Sequence, residues 1–184
     1  MPIEVKTFFD EATFTATHVA HDAQSGAAAI IDPVWDYDAA AGRLSTAFAD
    51  AVIEFCRSRD LSVDWILETH VHADHLTSAQ YLKEKLGGRI AIGARVTETQ
   101  ETFAAIYGEG GNFKRDGSQF DHLFEDGERF AIGGVEAQAL HTPGHTPTCA
   151  VYVIGDAAFV GDTIFMPDFG TARTDFPGGD ARFV

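Results

Sequence analysis

Thr69-His70-Val71-His72-Ala73-Asp74-His75 puts three imidazoles and a carboxylate into six consecutive positions, 70 to 75. Just before it, residues 64–68 form a short run centred on apolar side chains with the character of a strand. Just after it, residues 77–86 repeat apolar positions at helical spacing and close on Gly87-Gly88. The motif therefore sits where a strand hands over to a helix. In extended backbone His70 and His72 project to one side, and the turn into the helix brings Asp74 and His75 back toward them. Neutral imidazole and carboxylate are the usual ligands of zinc, iron and manganese. One histidine alone reads more simply as a hydrogen-bonded polar residue. A group of side chains that would charge alike is costly unless something binds them, so the cluster points to a metal site.

Upstream, residues 4–9, 13–20 and 27–32 read as three strands before any helix. Residues 44–59 follow as an amphipathic helix, with Leu44, Ala47, Phe48, Ala51, Val52 and Phe55 on one stripe. Downstream come a strand over 89–93, a helix over 96–107 and a polar, glycine-containing loop over 108–121, longer than a plain connection needs. A hairpin over 127–132 and 135–140 follows, then strands over 149–154 and 157–161. The chain is α/β, and one domain over 1–184 is expected. His145, in Thr142-Pro143-Gly144-His145-Thr146, falls on a tight turn between strands, and Asp162, in Gly161-Asp162-Thr163, falls just past another; both are loop positions typical of site residues. His18, His21, His122 and His141 lack comparable partners and read as structural or solvated.

Composition narrows the function. The 184 residues are 45% hydrophobic and 11% aromatic, enough for a sizeable core. A formal charge of -15 opposes nucleic acid and anionic membrane surfaces at long range, while a divalent cation and one arginine can still draw a small anion into a cleft. No apolar run of membrane-spanning length and no signal-like N-terminus are present, so the cytoplasm is the expected address. Cys56 and Cys149 are far apart and read as buried thiols.

At these residues the chain resembles the metallo-β-lactamase superfamily. The HxHxDH motif falls on His70, His72, Asp74 and His75, followed in order by His145 and Asp162. Within that group it is most similar to bacterial persulfide dioxygenases, over nearly the whole chain, through THVHADH, HTPGHTP, GDTIF and Ala172-Arg173-Thr174-Asp175-Phe176. The resemblance implies an αββα sandwich. It also implies one iron(II) per chain, held by His70, His145 and Asp162 as a two-histidine, one-carboxylate triad with open positions for sulfur and dioxygen. The reaction implied is oxidation of glutathione persulfide with O2 to glutathione and sulfite. His72, Asp74 and His75 would then tune the iron through hydrogen bonds, and Arg173 would grip the glutathione moiety or the persulfide end.

Relative to that family the chain ends early, at Val184, and part of the carboxyl-terminal half of the sandwich is expected to be lacking. A longer parent chain, a partner or a second copy in a homo-oligomer would supply the missing layer. The set for a second metal is also incomplete, which favours a mononuclear site. Two readings compete with the dioxygenase. One is a hydroxyacylglutathione hydrolase of the glyoxalase II type, with a zinc-type binuclear site in which His72, Asp74 and His75 help bind the second metal and Asp162 bridges. The other is a non-catalytic metal-binding fragment.

Overall fold

The computed structural model describes residues 2–111, 113–170, 173–174 and 177–183. Strands β1 (Glu4–Asp10), β2 (Thr15–His21) and β3 (Ala27–Ile31) form an antiparallel meander. A two-stranded ribbon of β4 (Asp36–Asp38) and β5 (Arg43–Ser45) leads into helix α1 (Ala47–Ser58). Strand β6 (Ser62–Leu67), helix α2 (Ala79–Leu86), strand β7 (Arg89–Gly93), helix α3 (Val96–Tyr107) and strand β8 (His122–Phe124) follow. Strands β6, β7 and β8 add in parallel, giving one six-stranded sheet in the order β1-β2-β3-β6-β7-β8. Strands β9 (Arg129–Ile132), β10 (Val135–His141), β11 (Ala150–Ile154) and β12 (Ala157–Phe159) form an antiparallel sheet in the order β12-β11-β10-β9.

The burial pattern explains why these segments become strands. All five residues of β3 are buried, because one face meets α1 and the other meets the second sheet. An apolar side chain at every position is what a strand covered on both faces requires. Strand β10 alternates instead, with Val135, Ala137 and Ala139 turned inward and Glu136 outward, the period-two signature of a strand covered on one face. Between the sheets lie Ile31, Leu67, Phe124, Ile132, Tyr152 and Ile154. Val52, Ile53 and Cys56 of α1 and Leu82 of α2 pack on the outer face of the larger sheet against Val19, Ile30 and Ile66. Each such aliphatic side chain contributes about 1.5–3 kcal/mol by leaving water.

Several expected boundaries move, each for a local reason. The helix expected over 44–59 begins at Ala47, because Arg43–Ser45 pairs with β4 and Leu44 stays 49% exposed. The backbone N–H of Phe48 donates to the Asp36 carboxylate at 2.8 Å, which anchors the helix start to the ribbon. The helix expected from 77 begins at Ala79, since the Thr77 hydroxyl accepts from Ala79 N–H and itself donates to Glu68. The three-residue strands β4, β5 and β8 are too short to carry a readable period. Strand β12 ends at Phe159, and a 3₁₀ turn at Gly161–Thr163 follows. Gly161 has φ +49°, and a Cβ there would lie 2.7 Å from Thr69 Cβ. Only glycine lets these two site segments approach so closely. Cys56 and Cys149 are both free and buried, as expected.

Candidate metal centre

Four segments converge past the ends of neighbouring strands. Asp32 follows β3, the run Glu68-Thr69-His70 follows β6, His145 lies in the β10–β11 turn, and Asp162 lies beyond β12. Asp162 Oδ2 is 3.4 Å from His145 Nε2 and 3.9 Å from His70 Nε2. One ligating atom from each of the three lies within 4.8 Å of the others. Donors bound at about 2.0–2.2 Å to one ion sit roughly 3–4 Å apart, so the spacing fits a common cation. Both histidines are buried, whereas the Asp162 side chain is 38% exposed and opens the site to solvent.

The outer nitrogens of both rings are already committed as donors. His145 Nδ1–H donates to the Arg173 carbonyl at 2.7 Å. The Thr69 hydroxyl donates its single proton to Asp32 Oδ2 at 2.8 Å, so its oxygen accepts from His70 Nδ1–H at 3.0 Å. Each ring therefore keeps Nε2 turned toward Asp162, the atom a metal would take, and each is aligned by a hydrogen bond from behind. Burial first, then the charge on His72, pushes His70 well below the ordinary imidazole range and keeps it neutral. Burial raises the Asp162 carboxyl, opposed by His145.

A second group adjoins the first. His72, Asp74 and His75 offer ligating atoms within 4.8 Å of one another, and the His72 and His75 rings lie 4.1 Å apart. His72 also belongs to a third group with Asp32 and Glu68. Its Nε2–H donates to Asp32 Oδ1 at 3.2 Å, with Glu68 Oε2 at 3.6 Å. Burial opposes a charge on His72, but the two carboxylates outweigh it and hold the ring up at about 10. Asp32 is likewise disfavoured by burial and yet brought down to about 2, chiefly by His72. Burial leaves the Glu68 carboxyl raised, only partly offset by the same imidazole. In the metal-free chain the charge pair is thus Asp32 with His72. His75 is lowered by burial and by His72, and its Nε2 is buried with no hydrogen-bond partner.

Arg173 enters through its backbone. Its carbonyl meets His145, its side chain is exposed, and the rest of the Ala172–Phe176 segment apart from Thr174, including Asp175, lies outside the described residues. The other histidines serve the framework. His141 donates to the Phe124 carbonyl, His122 pairs with Glu128, His21 with Glu4, and His18 bonds Thr7. Sequence reasoning passed over Asp32, Glu68 and the Thr69 hydroxyl. The signal for two of them was present, since Asp32 and Glu68 are acids placed directly after the apolar runs that become β3 and β6.

The family model of the metallo-beta-lactamase superfamily matches residues 19–183, and the chain belongs to that superfamily. A Burkholderia pseudomallei protein named "Probable metallo-hydrolase" is 52% identical over 97% of this chain and 64% of its own length. The human mitochondrial persulfide dioxygenase ETHE1 is 30% identical over 98% of this chain and 59% of that protein. The crystal structure of ETHE1 from Myxococcus xanthus superimposes with a TM-score of 0.70 at 26% identity, covering 98% of this chain and 64% of that one. The chain thus spans less than two thirds of each. The superfamily is one of metal-dependent enzymes, and the donor groups described above are of the type it implies. Among the described residues no helix is long and apolar enough to cross a membrane.

Proposed function

We propose that this chain carries the iron(II) site of a persulfide dioxygenase, with His70, His145 and Asp162 as the ligands. The observation that carries the reading is the composition of the triad: two imidazoles, each anchored through Nδ1, and one partly exposed carboxylate. Such a set suits a ferrous ion with open coordination positions. Bound iron would supply the redox chemistry that joins sulfur to dioxygen. In the overall reaction the S–S bond of glutathione persulfide breaks and its outer sulfur loses four electrons to O2. O2 and one water supply the three oxygens of sulfite, glutathione keeps one proton as its thiol, and two protons are released.

The chain's own residues would hold and orient. Thr69 and the Arg173 carbonyl keep Nε2 of both ligand histidines turned toward Asp162. His72 keeps its Nε2 proton on Asp32, which holds its ring beside that of His70. His75 Nε2, neutral and without a partner, is the atom available to hold a water, with exposed Asp74 nearby. The Arg173 guanidinium remains the candidate grip for the glutathione carboxylates.

A binuclear thioester hydrolase is the second reading. It is favoured by the ready-made group of His72, Asp74 and His75 and by the hydrolase name of the 52% identical relative. Metal quantification on anaerobically purified protein, followed by oxygen uptake and sulfite release with glutathione persulfide, separates the two. One iron per chain with oxygen-dependent sulfite supports the dioxygenase. Two tightly bound zinc ions, no sulfite and thiol release from an acylglutathione would overturn it.

A further inference from the structure

The turn that carries His145 is seated on a later stretch of the chain through contacts that leave no room for a side chain. His145 Nδ1–H donates to Arg173 O at 2.7 Å, and Asp180 N–H donates to Gly144 O at 2.8 Å. Between these two anchors lies Gly178-Gly179. A Cβ at Gly179 would stand 2.7 Å from the carbonyl oxygens of both His145 and Thr174 and 3.0 Å from that of Gly144. A Cβ at Gly178, where φ is +89°, would stand 2.7 Å from Cγ of Pro147, two residues past His145. The obstacles at Gly179 are backbone oxygens on two segments, and backbone cannot swing aside as the end of a side chain can.

We propose that Gly179 is a positioning residue for His145: by admitting these carbonyls it holds the Arg173 carbonyl against Nδ1 and so keeps Nε2 aimed at Asp162. The inference rests on the reading of His145 as a metal ligand. A methyl at 179 must part the His145 turn from Thr174, the neighbour of Arg173. The Nδ1 hydrogen bond then lengthens, and the ring is free to rotate out of the triad. Partners behind a ligand imidazole commonly set about ten- to hundredfold in metal affinity, and a loss of that size is expected here.

Cobalt(II) alone is the probe, with affinity from chelator competition and site geometry from the visible absorption of the bound ion. Gly179→Ala should weaken binding roughly ten- to hundredfold and alter the spectrum. Gly88→Ala is the control for strain alone, since Gly88 has φ +87° and a Cβ there would lie 3.0 Å from Val63 O, at the α2–β7 junction. It should lose stability while keeping affinity and spectrum. Should Gly179→Ala not fold, Gly178→Ala presses on the same turn through Pro147 and must move affinity in the same direction. Wild-type affinity and spectrum in the glycine variants, or equal losses in Gly88→Ala, would overturn the proposal even where His70→Ala abolishes binding. If His70→Ala binds cobalt as the wild type does, the ligand reading itself falls and this inference falls with it.

Discussion

Replacing Thr69 with valine removes one oxygen atom and breaks two links of the site at once. The hydroxyl donates to the ionised Asp32 at 2.8 Å and accepts from His70 Nδ1–H at 3.0 Å, and all three residues are buried. A hydrogen bond to a charged acceptor contributes about 1.5–3 kcal/mol, and a buried N–H left without an acceptor costs about 1–3 kcal/mol. Asp32 keeps the Thr69 backbone N–H and His72, and the added methyl recovers about 0.8 kcal/mol of burial. The expected net loss is therefore about 2–5 kcal/mol of unfolding free energy in the metal-free protein. His70 also loses the group that anchors its Nδ1, so metal affinity should fall about tenfold or more. Urea unfolding of the metal-free protein reads the first quantity and chelator competition the second. Thr69→Ser, which keeps the hydroxyl, should bind metal nearly as the wild type does. Thr69→Val binding metal as the wild type does would refute the relay from Asp32 through Thr69 to His70.

His72→Ala should destabilise the metal-free chain by about 3–5 kcal/mol, because it strips the buried Asp32 carboxylate of its cation; an unchanged urea midpoint would contradict the ion pair. Asp22 is held at about 2 rather than 3.8 by the N–H of Gln24, the Ser25 hydroxyl and the N–H of Gly134. A carboxylate lowered in the folded state adds stability that is fully present above pH 3.8 and is lost as pH falls toward 2, so Asp22→Asn should flatten the acid limb of a urea-midpoint profile across that window. Gly161→Ala should lower the melting temperature, since its φ of +49° and its contact with Thr69 admit no side chain; a melting temperature equal to the wild type's would refute the close approach of the two segments. Metal removal by a chelator should lower stability by mass action, by about 2.7 kcal/mol if the free ion had stood at a hundred times its dissociation constant, and adding metal back should restore it; calorimetry with and without added metal reads both.

The α/β order and the motif-bearing junction could be read from periodicity, because burial on one face or two leaves its mark residue by residue, as in β3 and β10. Leu44 shows where that reading stops. Its apolar side chain continued the stripe of α1, yet backbone pairing with β4 claimed it, and pairing leaves no trace in side-chain type. The donor chemistry of His70, His145 and Asp162 could be named from their residue types and loop positions. What anchors their Nδ1 atoms could not, since Asp32 and Thr69 are 37 positions apart and the acceptor for His145 is a carbonyl of Arg173, a group every residue has.

The sequence by itself determined which atoms could bind a metal and that a strand would deliver the first of them to its carboxyl end, since both follow from local chemistry. Only the tertiary structure decided that three loops meet at Asp162, that His72 spends its charge on Asp32, and that two glycines let the chain close behind His145. Those outcomes depend on distances between segments remote in sequence, which no local pattern encodes.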